Sequence, residues 1–140
     1  MKSNAIQKLR GKLARDECVF GLWVTLESAS ITEMAVALGV DWIVIDAEHG
    51  HLNWSDIIDH LRATVRSDTV ALVRVAELNL GLIKRALDIG ADGVIVPWVE
   101  SAAQLEGLRS LGCDTAQGFY FTEPLSLVDM TAFLRTGQRW

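Results

Sequence analysis

The sequence predicts an α/β protein built as a parallel βα repeat of about five units. Short apolar runs rich in β-branched residues alternate with segments whose apolar residues recur at helical spacing. The predicted strands begin near residues 19, 42, 70, 93 and 116, so successive strands start 23 to 28 residues apart. That spacing leaves room for a helical crossover with short loops, and crossovers of this kind join parallel strands. The five units could form an open sheet, pair with another copy, or be part of a larger structure.

Each predicted element follows from its local pattern. The predicted strands are the apolar runs 19–26, 42–46, 69–75, 93–99 and 116–121. The predicted helices are 4–14, 30–38, 54–65, 80–87, 102–111 and 127–134. Ser30 is expected to cap the second helix, and Gly39, Gly90 and Gly112 are expected to end helices. Pro97 falls near the exit of the fourth strand, where a missing N–H is tolerated.

Composition excludes several classes of protein. The 140 residues are enough for one domain with a core, and a hydrophobic fraction of 50% excludes disorder. The net charge is -5 and the basic residues are scattered, so no nucleic-acid partner is expected. No apolar run approaches the roughly 20 residues of a membrane span, and residues 1–15 lack the apolar core of a signal peptide. Cys18 and Cys113 are far apart and are expected to be packed thiols in a reducing cytoplasm.

The stretch 41–51 is the candidate active site. Its first half is a buried strand, and its second half places Asp46, Glu48, His49 and His51 around a glycine where the chain leaves that strand. In parallel α/β folds, ligands bind in the loops that follow the carboxyl ends of the strands. Two carboxylates and two imidazoles at this position therefore indicate a site of chemistry.

Two further polar residues fall at the same predicted edge of the sheet. Arg74 ends the third strand and Glu100 follows the fourth. His49 could act as a general base near neutral pH, and the planar guanidinium of Arg74 suits a carboxylate or an oxyanion. Asp46 or Glu48 could orient either residue or contribute to a metal site.

Structural roles are open for several of these residues. Arg74 could form only a salt bridge with Asp46 across neighbouring strand ends, and His51 is expected to be solvated. His60 is predicted to lie on a helix surface and is given no role. Packing is the expected role of four tryptophans, Trp23, Trp42, Trp54 and Trp98.

Five motifs together resemble the HpcH/HpaI aldolase family over residues of about 4–103. They are Leu-Trp-Val-Thr at 22–25, Asp-Trp-Ile-Val-Ile-Asp-Ala-Glu-His-Gly at 41–50, Val-Arg-Val at 73–75, Leu-Ile-Lys-Arg-Ala-Leu-Asp-Ile-Gly-Ala at 82–91, and Val-Pro-Trp-Val-Glu-Ser at 96–101. The resemblance implies a (β/α)8 TIM barrel, here partial. It also implies a carbon–carbon lyase that cleaves or forms 2-keto acids by aldol chemistry and usually releases pyruvate.

The resemblance also implies roles for single residues. His49 would be the catalytic base, with Asp88 as its partner in a dyad. Arg74 and Trp23 would bind the substrate, and Arg74 would stabilise the enolate. The supporting residues of the same loop would be Asp46 and Glu48. The implied cofactor is a divalent metal, Mg²⁺ or Mn²⁺, the substrate is a small 2-keto acid, and a homo-oligomer is expected.

The sequence departs from that family after residue 103. The family's metal-binding carboxylates on later strands have no recognisable counterpart, which leaves Glu100 as a candidate and predicts impaired activity. Residues of about 99–135 instead resemble the last βα unit of EAL domains. We therefore expect a joined chain, with an aldolase-like segment at 1–103 and an EAL-like unit at 104–140 packed as one domain. The alternative function is a non-catalytic, truncated or chimeric barrel scaffold that self-associates.

Overall fold

Four parallel strands form one sheet in the order in which they occur along the chain. The strands are β1 (Gly21–Val24), β2 (Trp42–Asp46), β3 (Val70–Arg74) and β4 (Gly93–Ile95). A doubly wound sheet would reverse its strand order at some point, whereas sequential order with right-handed crossovers places every helix on one face. This is the arrangement of successive units of a (β/α)8 barrel, so the predicted α/β fold is confirmed.

This computed structural model describes residues 2–110, 113 and 123–135. The chain divides into two compact units, Met1–Val96 and Pro97–Trp140. The predicted strand 116–121 and the predicted helix end at Gly112 lie outside the described residues. The packing of 1–103 and 104–140 as one domain stays a prediction.

Helices alternate with the strands as predicted. In the first unit they are α1 (Ser3–Ala14), α2 (Ala29–Ala37), α3 (Trp54–Thr64) and α4 (Leu80–Asp88), and in the second α5 (Ala102–Ser110) and α6 (Leu127–Arg135). None of the helices within the described residues is long and apolar enough to cross a membrane.

Helix ends were predicted only in part. Gly39 and Gly90 follow α2 and α4 with φ values of 79° and 107°, which confirms them as helix stops. The prediction for Ser30 is wrong, because α2 begins one residue earlier and Ser28 occupies the N-cap position. Asn53 caps α3 in a reciprocal capping box with Asp56.

The strand β4 is shorter than predicted. It ends at Ile95 rather than continuing to residue 99. Pro97 has no N–H for the ladder, and Trp98 has a φ of 59°, which a strand cannot accommodate.

The two faces of the sheet carry different side chains. Parallel register aligns Val24, Ile45 and Val73 on one face, and all three are almost fully buried. Trp23 lies on the opposite face and remains 43% exposed, beside the buried Val44. Asp46 and Arg74 lie on this second face, since their register follows that of Trp23 and Val44. The candidate functional side chains therefore share one face of the sheet.

The prediction about the burial of His60 is wrong. His60 is fully buried rather than at a surface, because it shares a helical stripe with the buried residues Ile57, Leu61 and Thr64 of α3. Its Nε2 lies 2.9 Å from the carbonyl oxygen of Leu26, and its Nδ1 lies 2.7 Å from the hydroxyl of Thr32.

The cysteines also differ from expectation. Cys18 is exposed, since it lies in the connection between α1 and β1 and not in the core, while Cys113 is half-buried.

Candidate active site at the carboxyl edge of the sheet

Asp46 and Arg74 meet because β2 and β3 are neighbours in register. Asp46 is the last residue of β2 and pairs directly with Arg74, the last residue of β3. The Arg74 Nε donates to Asp46 Oδ1 at 3.0 Å, and its NH2 donates to Oδ2. Their side chains are only 1% and 11% exposed. The ion pair that the sequence left open is therefore present, and it is buried and bidentate, the geometry that gives such pairs their strength.

Asp46 also organises the loop that follows it. Its Oδ1 accepts hydrogen bonds from the backbone N–H groups of Glu48 at 2.9 Å and His49 at 3.1 Å. Its Oδ2 accepts one from the indole of Trp23 at 2.9 Å. Burial by itself would raise the pKa of Asp46, but the hydrogen bonds from Arg74, Trp23 and the two amides outweigh it and hold the pKa well below its ordinary value. Asp46 is therefore a carboxylate throughout the neutral range.

Gly50 lets this loop fold back onto the end of β1. A Cβ at this position would lie 2.8 Å from the carbonyl oxygen of Asp46 and 3.1 Å from that of Thr25. Both neighbours are backbone atoms that cannot rotate away. Only glycine fits here without a backbone shift, so the position of His49 depends on it.

The guanidinium of Arg74 forms hydrogen bonds with three of its five N–H donors within the described residues. Nε and one NH2 hydrogen bind Asp46, and the other NH2 hydrogen points to Nδ1 of His49. NH1 forms an ion pair with Glu48, 3.0 Å from its Oε2, without the geometry of a hydrogen bond. Trp23 covers one face of the guanidinium, with its ring centroid 4.9 Å from Cζ. The NH1 group can therefore donate to a ligand oxygen.

His49 lies at the solvent side of this cluster. Its side chain is 62% exposed, and its Nε2 is 3.6 Å from Oε1 of Glu48. A solute can therefore reach the imidazole, while Asp46 and Arg74 beneath it are fixed. The structure brings together five of the predicted site residues: Trp23, Asp46, Glu48, His49 and Arg74.

The carboxylate–imidazole cluster does not fit a divalent metal in this arrangement. Ligand atoms of Asp46, Glu48 and His49 lie within 4.8 Å of one another, which by composition could suit an ion. The Arg74 guanidinium, however, already binds all three residues. A divalent ion placed there would face this fixed positive charge and would have to displace hydrogen bonds to a buried carboxylate. These three residues therefore act as partners of an arginine.

One predicted site residue, Asp88, lies apart from the cluster within the first unit. Asp88 is the last residue of α4, is exposed, and forms an ion pair with Lys84. Because α4 returns from the carboxyl edge of β3 to the start of β4, its last residue lies toward the opposite edge of the sheet. Among the described residues Asp88 makes no hydrogen bond to His49, and the dyad stays a prediction.

Glu100 belongs to the second unit. Its side chain is exposed, and its backbone N–H donates to the side chain of Gln104 at 2.8 Å. Its role as a metal ligand stays a prediction. His51 is exposed, as expected.

The sequence did not lead to two features of the site: Asp46 accepts hydrogen bonds from the loop that follows it, and position 50 has room only for glycine. A signal for the first was available, because an aspartate at a strand exit commonly accepts the amides two and three residues onward. The need for Gly50 arises from the carbonyl oxygens of Asp46 and of Thr25, which follows β1, and the second of these is distant in sequence.

Comparison with known proteins places these residues in a family context. A hydroxypyruvate/pyruvate aldolase of Agrobacterium fabrum is 43% identical over 90 residues, which are 64% of this chain and 34% of that protein. A 2-keto-3-deoxy-L-rhamnonate aldolase of Klebsiella pneumoniae is 38% identical over 92 residues, 66% of this chain and 34% of that protein. The crystal structure of an HpcH/HpaI aldolase/citrate lyase family protein from Burkholderia cenocepacia superposes with a TM-score of 0.60 at 35% identity, covering 69% of this chain and 39% of that one. The chain thus spans about a third of the length of these curated relatives.

The family match also corrects the expectation for the C-terminal stretch. The HpcH/HpaI aldolase/citrate lyase profile matches residues 19–120 and so continues past the predicted boundary at residue 103. The EAL resemblance, which was expected over residues of about 99–135, is not supported. The chain belongs to the HpcH/HpaI aldolase/citrate lyase family.

Proposed function

We propose that this chain carries part of the active site of a carbon–carbon lyase, a class II 2-keto acid aldolase that releases pyruvate. The relatives named above as aldolases support this reaction class. The observation that carries the proposal is the Arg74 guanidinium, held by buried Asp46 directly beside the exposed imidazole of His49. This places a cation for a developing negative charge next to a group able to accept a proton.

The retro-aldol reaction needs both groups. A base removes the proton from the hydroxyl of a 4-hydroxy-2-keto acid, the adjacent carbon–carbon bond breaks, and its electron pair forms the enolate of pyruvate. His49 is the base in this proposal. Arg74 donates from its NH1 and NH2 groups to the carboxylate or the enolate oxygen, where a preorganised cation lowers the barrier most. Its hydrogen bonds to Asp46 are what hold it in place for this role.

Trp23 and Glu48 complete the surroundings of the substrate. The Trp23 ring lies over the guanidinium and is partly exposed, so it would form one wall of the substrate site. Glu48 lies near both Arg74 and Nε2 of His49 and would stabilise the imidazolium that proton transfer creates. Dependence on Mg²⁺ or Mn²⁺ is also proposed, with Glu100 as a candidate ligand outside the arginine-centred cluster.

Pyruvate release tests the proposal. The purified chain would be incubated with Mg²⁺ or Mn²⁺ and a 4-hydroxy-2-keto acid, and pyruvate would be followed with a coupled dehydrogenase. We expect weak turnover that is lost in His49→Ala. His51→Ala is the matched control, because it removes a nearby exposed imidazole outside the cluster. Equal pyruvate release by the chain and by His49→Ala would contradict the role of His49.

A second candidate function is a non-catalytic scaffold that self-associates. Among the described strands, β1 and β4 each pair on one side only, and such edges favour strand pairing between chains. Phe20, just before β1, is 68% exposed. Light scattering should then show a homo-oligomer, and a stable monomer over a wide concentration range would exclude the scaffold. A cytoplasmic location is part of either proposal, and the exposed thiol of Cys18 suits a reducing compartment.

A further inference from the structure

The hydrogen bond between Arg74 and His49 determines which imidazole nitrogen of His49 carries the proton. The Arg74 NH2 group points at Nδ1 of His49. A guanidinium has donors and no acceptor, so the nitrogen facing it must offer a lone pair. The neutral imidazole therefore carries its hydrogen on Nε2, the nitrogen that lies 3.6 Å from Oε1 of Glu48.

In this arrangement neither nitrogen of His49 can take a proton from a substrate. The lone pair of Nδ1 is engaged by Arg74, and Nε2 already carries a hydrogen. The exposed imidazole is thus a masked base, meaning that its basic nitrogen is occupied by a hydrogen bond. The group that occupies it is the Arg74 guanidinium, which is also expected to bind the anionic end of the substrate. A carboxylate that accepts from NH1 and NH2 together would take the NH2 hydrogen that now faces Nδ1, because Nε and the other NH2 hydrogen are held by Asp46.

We propose that Arg74 is a positioning residue for His49: it locks the Nε2–H tautomer in the free chain, and a carboxylate ligand that takes its NH2 hydrogen unmasks Nδ1 as the base. The release step rests on the proposed function, whereas the tautomer lock in the free chain does not. The device couples base activation to occupancy of the anion site, so the imidazole becomes reactive only when a substrate is bound.

The proton and electron balance is complete. Nδ1 takes the hydroxyl proton, the electron pair of the O–H bond forms the aldehyde carbonyl, and the pair from the broken carbon–carbon bond passes to the enolate beside Arg74. The resulting imidazolium keeps its Nε2–H toward Glu48, whose carboxylate favours the positive charge. The Nδ1 proton can then pass to the enolate carbon, which yields pyruvate and restores the neutral imidazole.

The tautomer can be read directly by nitrogen-15 NMR of the full chain labelled at histidine. The chain has three histidines, and two of them serve as internal standards. His60 should appear as the Nε2–H tautomer, because its Nε2 faces the carbonyl of Leu26. His51 is exposed and should show the averaged signal of a mixed population. We expect His49 to resemble His60 despite its exposure.

Two perturbations then separate the parts of the proposal. Arg74→Met should shift His49 to the averaged signal of His51, whereas Arg85→Met, a change at an arginine stacked on Trp54, should leave it unchanged. The signal of His60 reports whether each variant is folded. Adding oxalate, a small dianion resembling the pyruvate enolate, to the unmodified chain should change His49 and leave His60 unaltered, which keeps the test decisive even where Arg74→Met fails to fold.

Each outcome has a defined meaning. An Nδ1–H tautomer or an averaged signal for His49 in the free chain overturns the lock, as does an unchanged signal in folded Arg74→Met. Oxalate that perturbs the Trp23 indole without changing His49 overturns the release step. Absence of any oxalate effect overturns the release step and counts against the proposed function, while the lock in the free chain is judged separately.

Discussion

The ion pair between Asp46 and Arg74 makes the sharpest prediction about stability. Asp46→Asn preserves the shape of the side chain but removes its charge and turns one acceptor into a donor. Asp46 now accepts two bonds from Arg74, one from Trp23 and two from backbone amides. Breaking a buried ion pair by removing one partner costs about 3–5 kcal/mol. Because Glu48 still lies 3.0 Å from Arg74 and compensates part of its charge, we expect a loss at the lower end, about 3 kcal/mol.

The same carboxylate predicts how this loss depends on pH. The pKa of Asp46 is lower in the folded chain than in the unfolded one, so its stabilisation is fully present above the unfolded value of about 4. As the pH falls below that value the unfolded chain takes up a proton that the folded chain does not, and the stabilisation is progressively lost. The difference between the chain and Asp46→Asn should therefore shrink on acidification.

Urea unfolding followed by tryptophan fluorescence measures both quantities, at neutral pH and at steps into the acid range. Asp68→Asn is the matched control, because Asp68 is 65% exposed and forms a surface ion pair with Lys8. We expect this control to change the free energy of unfolding by less than about 1 kcal/mol. An Asp46→Asn loss no larger than that of Asp68→Asn, or a difference that does not shrink in acid, would refute the role assigned to the buried pair.

Two further substitution pairs test the supports of the site. Gly50→Ala should destabilise the chain by about 1–3 kcal/mol, because the added Cβ would meet two backbone oxygens. The control Gly107→Ala in α5 meets nothing within 4 Å and should stabilise the chain by about 0.5–1 kcal/mol through helix propensity. Thermal unfolding that ranks the two variants in the opposite order would contradict the close approach at Gly50. His60→Ala should lower the free energy of unfolding by about 2–4 kcal/mol, because it leaves a buried cavity and removes hydrogen bonds to Thr32 and Leu26. The control His51→Ala should leave the free energy of unfolding nearly unchanged. Equal urea midpoints for the two histidine variants would show that the buried hydrogen bonds contribute nothing.

Local sequence patterns were sufficient for the architecture and for most members of the site. The β-branched run of 42–46 and the regular spacing of the strands predicted parallel βα units, since both depend on residues close together in the chain. Asp46, Glu48 and His49 follow one strand and Arg74 ends the next, so the rule that ligands bind at carboxyl edges was enough to group them. Glycines that end helices were equally local signals.

Tertiary structure alone decided how these groups are used. The register of β2 on β3 sets Asp46 opposite Arg74 across 28 residues of chain, and only this register turns two polar strand ends into a buried pair. Periodicity can mark the buried stripe of α3 but not what covers it, so the contact of His60 with the carbonyl of Leu26 was not foreseeable. Asp88 was assigned beside His49 by motif, yet the direction of α4 carries it toward the other edge of the sheet. The choice of proton position on His49 likewise comes from a neighbour 25 residues away, because hydrogen-bond partners are set by packing between elements and not by the residues next to them in sequence.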